Sequence, residues 1–515
     1  MTTTVMNPAS LRRALACGLL AVCFNALAAP VLPGVISNPL DPHRWWKPGS
    51  SEPLPALSEY EDRTGTVATL LTTGELQTKG HPFFEPLGSN GRACVSCHQP
   101  ADGMSLSVDS AKAQWQVSQG KDPLFAAADG SNCPNLPQAD PASHSLLLEH
   151  GLLRVPRAWP PKPFQGHPVT AQFSIEVVRD PTGCNLDPRY GLEGDARQIS
   201  VYRRPRAAAN LKYVLAAGFS FEPKTGLPLP RDPLTGEMIS GNLMADARFS
   251  GLREQALDAH AVHLGARVDL SDDEVARIQS FLLSVFSAQS ADKVGGSLTA
   301  AGAKGGPWTL AEAEAGVLNQ RAKNPMWAEY AAWFDMPPEE GRQDDTQRAF
   351  RESVARGIDI FRNRTFLVTD SAGINSNNFG NPTRDTCAFC HNATRVGNDI
   401  APGQVDLGTT TEPYANTAPH LPLFKLTCKA DYAPHPFLGR VVYTSDPGYA
   451  LTTGRCIDIG KVTIQPMRGL AARPPYFVNG SAKSLLEIVE FYDRRYNIGY
   501  SEQDKQDLVN FLGTL

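Results

Sequence analysis

Two pentapeptides carry the plainest chemistry in this sequence, Cys94-Val95-Ser96-Cys97-His98 and Cys387-Ala388-Phe389-Cys390-His391. Two intervening residues put both thiols of each pair on one helical turn. There they can add to the vinyl groups of a porphyrin, and the adjoining imidazole becomes an axial ligand of its iron. With ten cysteines and eleven histidines in 515 residues, chance supplies about 0.004 such pentapeptides. A four-cysteine zinc site is the competing reading. Zinc pairs, however, lie tens rather than hundreds of residues apart and need no histidine after each pair. The motifs therefore predict two covalently attached c-type haems, held by Cys94, Cys97 and His98 and by Cys387, Cys390 and His391.

The beginning of the sequence gives this chemistry a compartment. Arg12 and Arg13 precede an apolar run over residues 14–24, and Ala26-Leu27-Ala28 supplies small side chains for cleavage. Residues 1–28 read as a secretory signal and the remainder as a periplasmic protein. No later stretch approaches the ~20 apolar residues of a membrane helix, so no membrane span is expected. Cys17 and Cys23 leave with the leader, and Cys133, Cys184, Cys428 and Cys456 remain outside the haem motifs. An even remainder in an oxidising compartment, with one pair in each half, predicts disulfides Cys133 to Cys184 and Cys428 to Cys456. The formal charge of −5, made more negative by loss of two arginines with the leader, argues against a nucleic-acid partner.

The elements that must position the motifs repeat. Ser271-Asp272-Asp273-Glu274 predicts a capped helix through Ile278, Phe281 and Leu282, and Ser501-Glu502-Gln503-Asp504 one through Leu508, Phe511 and Leu512. A haem motif near the start and an amphipathic helix at the end is the organisation of a cytochrome c domain. The expectation is a mostly α-helical fold of two such domains with long loops. Residues 29–290 would hold haem 1 and residues 346–515 haem 2. Residues 291–345 would connect them, with a Gly-Ala-rich linker over 294–306 followed by a segment in which Trp327 and Trp333 pack against a domain.

Further residues sharpen this organisation into a resemblance. Arg468-Gly469-Leu470, Pro475-Tyr476-Phe477, Asn479-Gly480-Ser481 and Ser484-Leu485-Leu486-Glu487 leading to Glu490-Phe491-Tyr492 resemble the bacterial di-haem cytochrome c peroxidase family, which includes MauG-type enzymes. Residues 202–210 and 252–259 resemble its N-terminal domain. The resemblance implies that haem 1 reacts with hydrogen peroxide and that haem 2 relays electrons from a small donor such as a cytochrome c or a cupredoxin. It places the second ligand of haem 2 at Tyr492, as in MauG-type members, with Met467 as the alternative. A phenolate ligand favours high oxidation states of iron. The family's distal segment matches residues 252–266, where Gln255 is kept and the usual acid is missing. Imidazoles titrating near neutrality can replace that acid, which nominates His263 first and His260 second.

The resemblance also implies a calcium ion between the domains, on the Asn210 side chain and the carbonyls of Arg473 and Pro475. Two departures from the family stand out. The segment Ala216-Ala217-Gly218-Phe219-Ser220-Phe221 offers phenylalanine where a tryptophan often lies between the haems, and Val478 replaces a frequent histidine. Two other activities remain open at this point: a MauG-like or rubber-oxygenase-like enzyme acting on a protein or organic substrate, and a non-enzymatic di-haem electron carrier.

Overall fold

The computed structural model describes residues 44–164, 167–216, 220–221, 228–229, 240–313, 328–336, 345–377, 379–392, 396–397 and 403–515. Residues 1–28, expected to be a secretory signal, Trp327 and residues 217–219 lie outside them. Eleven α-helices and fifteen β-strands occur among the described residues, so the expected mostly α-helical fold is corrected to a mixed one. No described helix is long and apolar enough to cross a membrane.

The strands went unforeseen because their partners are far away in sequence. Gly65–Leu71 alternates β-branched and small residues, and it lies between the hairpin partner Leu57–Glu61 and the distant strand Val285–Asp292 in an antiparallel sheet. That distant strand follows directly on the helix Asp272–Ser284 and runs across residue 290. A second sheet joins the two halves of the chain. Its central strand Leu423–Cys428 pairs with Val441–Thr444 on one side and with Phe173–Arg179 on the other. The halves are thus knitted by main-chain hydrogen bonds as well as by side chains.

Both closing helices begin at reciprocal caps, Ser271 with Glu274 and Ser501 with Asp504. Each buries its apolar face against one of the two large cores. In the second half, the helix Glu502–Gly513 crosses the helix Asp345–Asn363 so closely that a Cβ on Gly357 would lie 2.1 Å from the Asp507 carbonyl oxygen. Ser353 and Arg356 fix that crossing by hydrogen-bonding the Asp507 carboxylate. In the first half the contact is aromatic. Phe83 and Phe84 meet Phe281, with ring centroids 4.6 Å and 5.5 Å away. Trp333 is buried beneath the linker and donates its indole N–H to the Ala300 carbonyl.

Disulfides join Cys133 to Cys184 and Cys428 to Cys456. The first closes a separation of 51 residues, so a Cys133→Ser/Cys184→Ser variant is expected to lose about 2–4 kcal/mol of stability by constraining the unfolded chain less. Denaturant unfolding under oxidising conditions measures this. An unchanged midpoint would show that the link contributes nothing.

Candidate functional site: two cavities bearing the Cys-x-x-Cys-His motifs

Each motif forms one wall of a cavity of about 200 Å³. Cys94–Ser96 is a single 3-10 turn and Cys387–Cys390 a short helix, so both thiols of each pair project from one turn, and all four are free of disulfides. Burial pushes Cys94 up to about 12 and Cys387 up to about 11, leaving neutral thiols. The adjoining histidines are oriented from behind. Nδ1 of His98 lies 3.1 Å from the Met104 carbonyl oxygen, and Nδ1 of His391 lies 3.1 Å from that of Gly397. A carbonyl accepting from Nδ1–H leaves Nε2 as the basic nitrogen, the tautomer a metal requires. Burial lowers the pKa of both rings, which keeps them neutral. Paired thiols outside any disulfide, an oriented neutral imidazole and a largely apolar lining fit a covalently attached haem in each cavity.

The first cavity also gathers the residues nominated for proton transfer. Gln255, His260 and His263, on the helix Leu252–His263, share it with His98. His260 is buried, and its Nε2 has no hydrogen-bond partner among the described residues. His263 is held differently, with its Nδ1 at 2.5 Å from Oδ2 of the buried Asp129. Burial and then the Arg248 and Arg92 guanidinia lower its pKa, whereas the Asp258 carboxylate opposes them. Asp129 in turn pairs with the buried Arg92, which donates to the carbonyls of Pro123 and Leu124 and so fixes the loop carrying the acid. Asp129 lies 134 positions before His263, and folding brings its carboxylate to the imidazole. No motif surrounds Asp129, so sequence reasoning passed it over.

In the second cavity Tyr492 faces His391, with its hydroxyl oxygen 3.4 Å from Nε2. Burial holds the phenol well above its ordinary value, and its anionic form therefore needs a cation beside it. Met467 also lines this cavity and lies beside Gly397. A Cβ on Gly397, whose carbonyl takes the His391 N–H, would lie 2.9 Å from the Met467 sulfur. A Tyr492→Phe variant is expected to change the ferric spin state of one haem in electron paramagnetic resonance. An unaltered spectrum would shift the assignment to Met467.

The residues nominated for calcium are engaged otherwise. The Asn210 amide donates to the Ser287 carbonyl and accepts from its N–H. The Arg473 carbonyl accepts from the Arg204 guanidinium at 3.0 Å, and this positive charge opposes a second cation at the same oxygen. The arrangement does not fit calcium.

No protein-family model matches the chain, and none of the curated proteins does either. Among solved structures it is similar to Kuenenia stuttgartiensis hydrazine synthase, with 13% identity and a TM-score of 0.29 over 61% of this chain and 73% of that one. It is also similar to a MauG-like protein associated with microbial copper homeostasis, with 15% identity and a TM-score of 0.27 over 60% of this chain and 82% of that one. Likeness this remote assigns the chain to neither family.

Proposed function

We propose that this chain is a periplasmic di-haem c-type oxidoreductase that reduces hydrogen peroxide in the first cavity, using electrons passed through the second. The observation that carries this reading is the placing of an Asp129-oriented imidazole, His263, in the same cavity as the first Cys-x-x-Cys-His motif. A haem bound there supplies an iron that takes the oxidant and transfers electrons. The protein's share is proton management. With Nδ1–H held by Asp129, Nε2 of His263 is free to accept a proton from one peroxide oxygen and return it to the departing one. Two electrons and two further protons complete the conversion of peroxide to two waters. Gln255, on the same helix and lining the same cavity, is placed to orient the bound oxidant by hydrogen bonding.

The second cavity contributes electron supply. Its walls include Arg204, Pro205 and Pro466, which also line the first, so the two centres would be near neighbours. A small reduced cytochrome or cupredoxin is the donor class the reading requires. The experiment is peroxide-dependent oxidation of a reduced small cytochrome by the purified holoprotein, followed by stopped-flow absorbance. Rapid oxidation supports the peroxidase reading. Two low-spin six-coordinate haems with no peroxide reaction would leave an electron carrier instead.

A MauG-like or rubber-oxygenase-like activity is favoured by one observation, Tyr492 facing His391. Peroxide consumption that oxidises an added protein or organic substrate, but no small cytochrome, would select it.

A further inference from the structure

Six arginines line the two cavities. Three of them meet carboxylates: Arg203 bridges Asp246 and Asp446, Arg92 meets Asp129, and Arg248 meets Asp246 and Asp258. Three do not. Arg204 and Arg473 are buried and Arg206 is partly buried, and none has a carboxylate oxygen within 4.0 Å among the described residues. Their hydrogen bonds go to neutral oxygens. Arg204 donates to the carbonyls of Leu106, Gly151 and Arg473, Arg206 to Thr463 and Ile464, and Arg473 to Pro466 and Arg468. Carbonyls satisfy N–H groups but leave the charge uncompensated, and an unpaired buried cation is unfavourable. Burial accordingly drags Arg204 and Arg206 down to about 9 and Arg473 down to about 10.

The three are also distributed in a telling way. Arg206 lines the first cavity, Arg473 the second, and Arg204 both. Anions belonging to the occupants of these cavities would remove the imbalance, and a haem carries two propionate carboxylates. We infer that Arg204, Arg206 and Arg473 bind the ionised propionates of the two haems, with Arg204 shared between them. Guanidinium is suited to this role because it stays charged and offers a planar fork of donors to a carboxylate. The inference rests on the di-haem reading and extends it to this chain's anion-binding residues.

Positive charge beside a haem favours its reduced form, which carries one more electron. Arg206→Met should therefore lower the midpoint potential of the haem at His98 alone, and Arg473→Met that of the haem at His391 alone. Arg204→Met should lower both, and Arg204→Lys should restore most of the loss. The expected size is about tenfold in the reduction equilibrium, or about 59 mV for a one-electron couple. Spectroelectrochemical titration of the holoprotein reads these shifts after haem content has been established by intact mass. Wild-type protein without haem would overturn the di-haem reading itself. Fully loaded variants whose potentials stay in place while their melting temperatures fall would overturn this inference alone, leaving the arginines as clamps on carbonyls. Should Arg204→Met not accumulate, the other two single variants decide the matter, since each is assigned to one centre.

Discussion

Replacing His263 by alanine is expected to slow peroxide turnover by about 10²–10⁴-fold, the usual contribution of a positioned general acid–base. The haem content should not change, because His263 does not belong to either attachment motif. The effect follows from a three-part arrangement: Arg92 fixes Asp129, Asp129 takes the Nδ1–H of His263, and Nε2 is left for the oxidant. Asp129→Asn tests the middle of that chain. An amide can donate to Nδ1 as well as accept from it, so it no longer enforces one tautomer, and turnover should fall while donor binding is retained. Steady-state kinetics with peroxide and a reduced small cytochrome measure both variants. Near wild-type turnover in His263→Ala would eliminate His263 as the proton shuttle and direct attention to His260, whose Nε2 is buried without a partner among the described residues.

The second large effect concerns stability. Asp246 is fully buried and meets three guanidinia, those of Arg157, Arg203 and Arg248, at 3.3, 2.7 and 2.9 Å. Arg203 continues to Asp446, so this cluster ties the first half of the chain to the second. Asp246→Asn would leave buried cations short of an anion, which costs about 3–5 kcal/mol in comparable pairs. Because Arg203 and Arg248 also line the first cavity, the loss should loosen the haem 1 site. Burial raises the pKa of Asp246, but the Arg248, Arg157 and Arg203 guanidinia outweigh it and hold the carboxyl well below its ordinary value. A carboxyl depressed on folding stabilises the protein above its unfolded pKa of about 3.9 and loses that contribution as pH falls toward the folded value. Wild-type stability should therefore decline below about pH 4, and less steeply in Asp246→Asn. Denaturant unfolding at pH 7 and in mild acid measures both expectations, and a loss below about 1 kcal/mol at pH 7 would contradict the first.

What the sequence made legible was local. The two pentapeptides, the reciprocal caps at Ser271 and Ser501 and the helices they begin can be read within a dozen residues, because capping and helical periodicity are short-range effects. The sheets could not be read that way. Gly65–Leu71 finds Val285–Asp292 across more than half of the first haem unit, and Phe173–Arg179 finds its partner in the other half of the chain. The same distance hid Asp129, a single acid in the alanine-rich run before Gly130 that meets His263 only after folding. Arg203-Arg204-Pro205-Arg206 did leave a signal. Arg204 and Arg206 stand between the strand Gln198–Arg203 and the small residues Ala207-Ala208-Ala209, an apolar neighbourhood in which arginines are unusual. The calcium ligands were hard to read for a related reason. Two of the three are main-chain oxygens, and one of these is taken by the Arg204 side chain.

Intact mass spectrometry of the exported, processed protein, paired with a pyridine haemochrome assay, addresses the central claim most directly. The account predicts a polypeptide heavier by two haems that withstand denaturation, with one lost in Cys94→Ser/Cys97→Ser and the other in Cys387→Ser/Cys390→Ser. A processed protein bearing no added macrocycle, or a single one that survives removal of either cysteine pair, would contradict it.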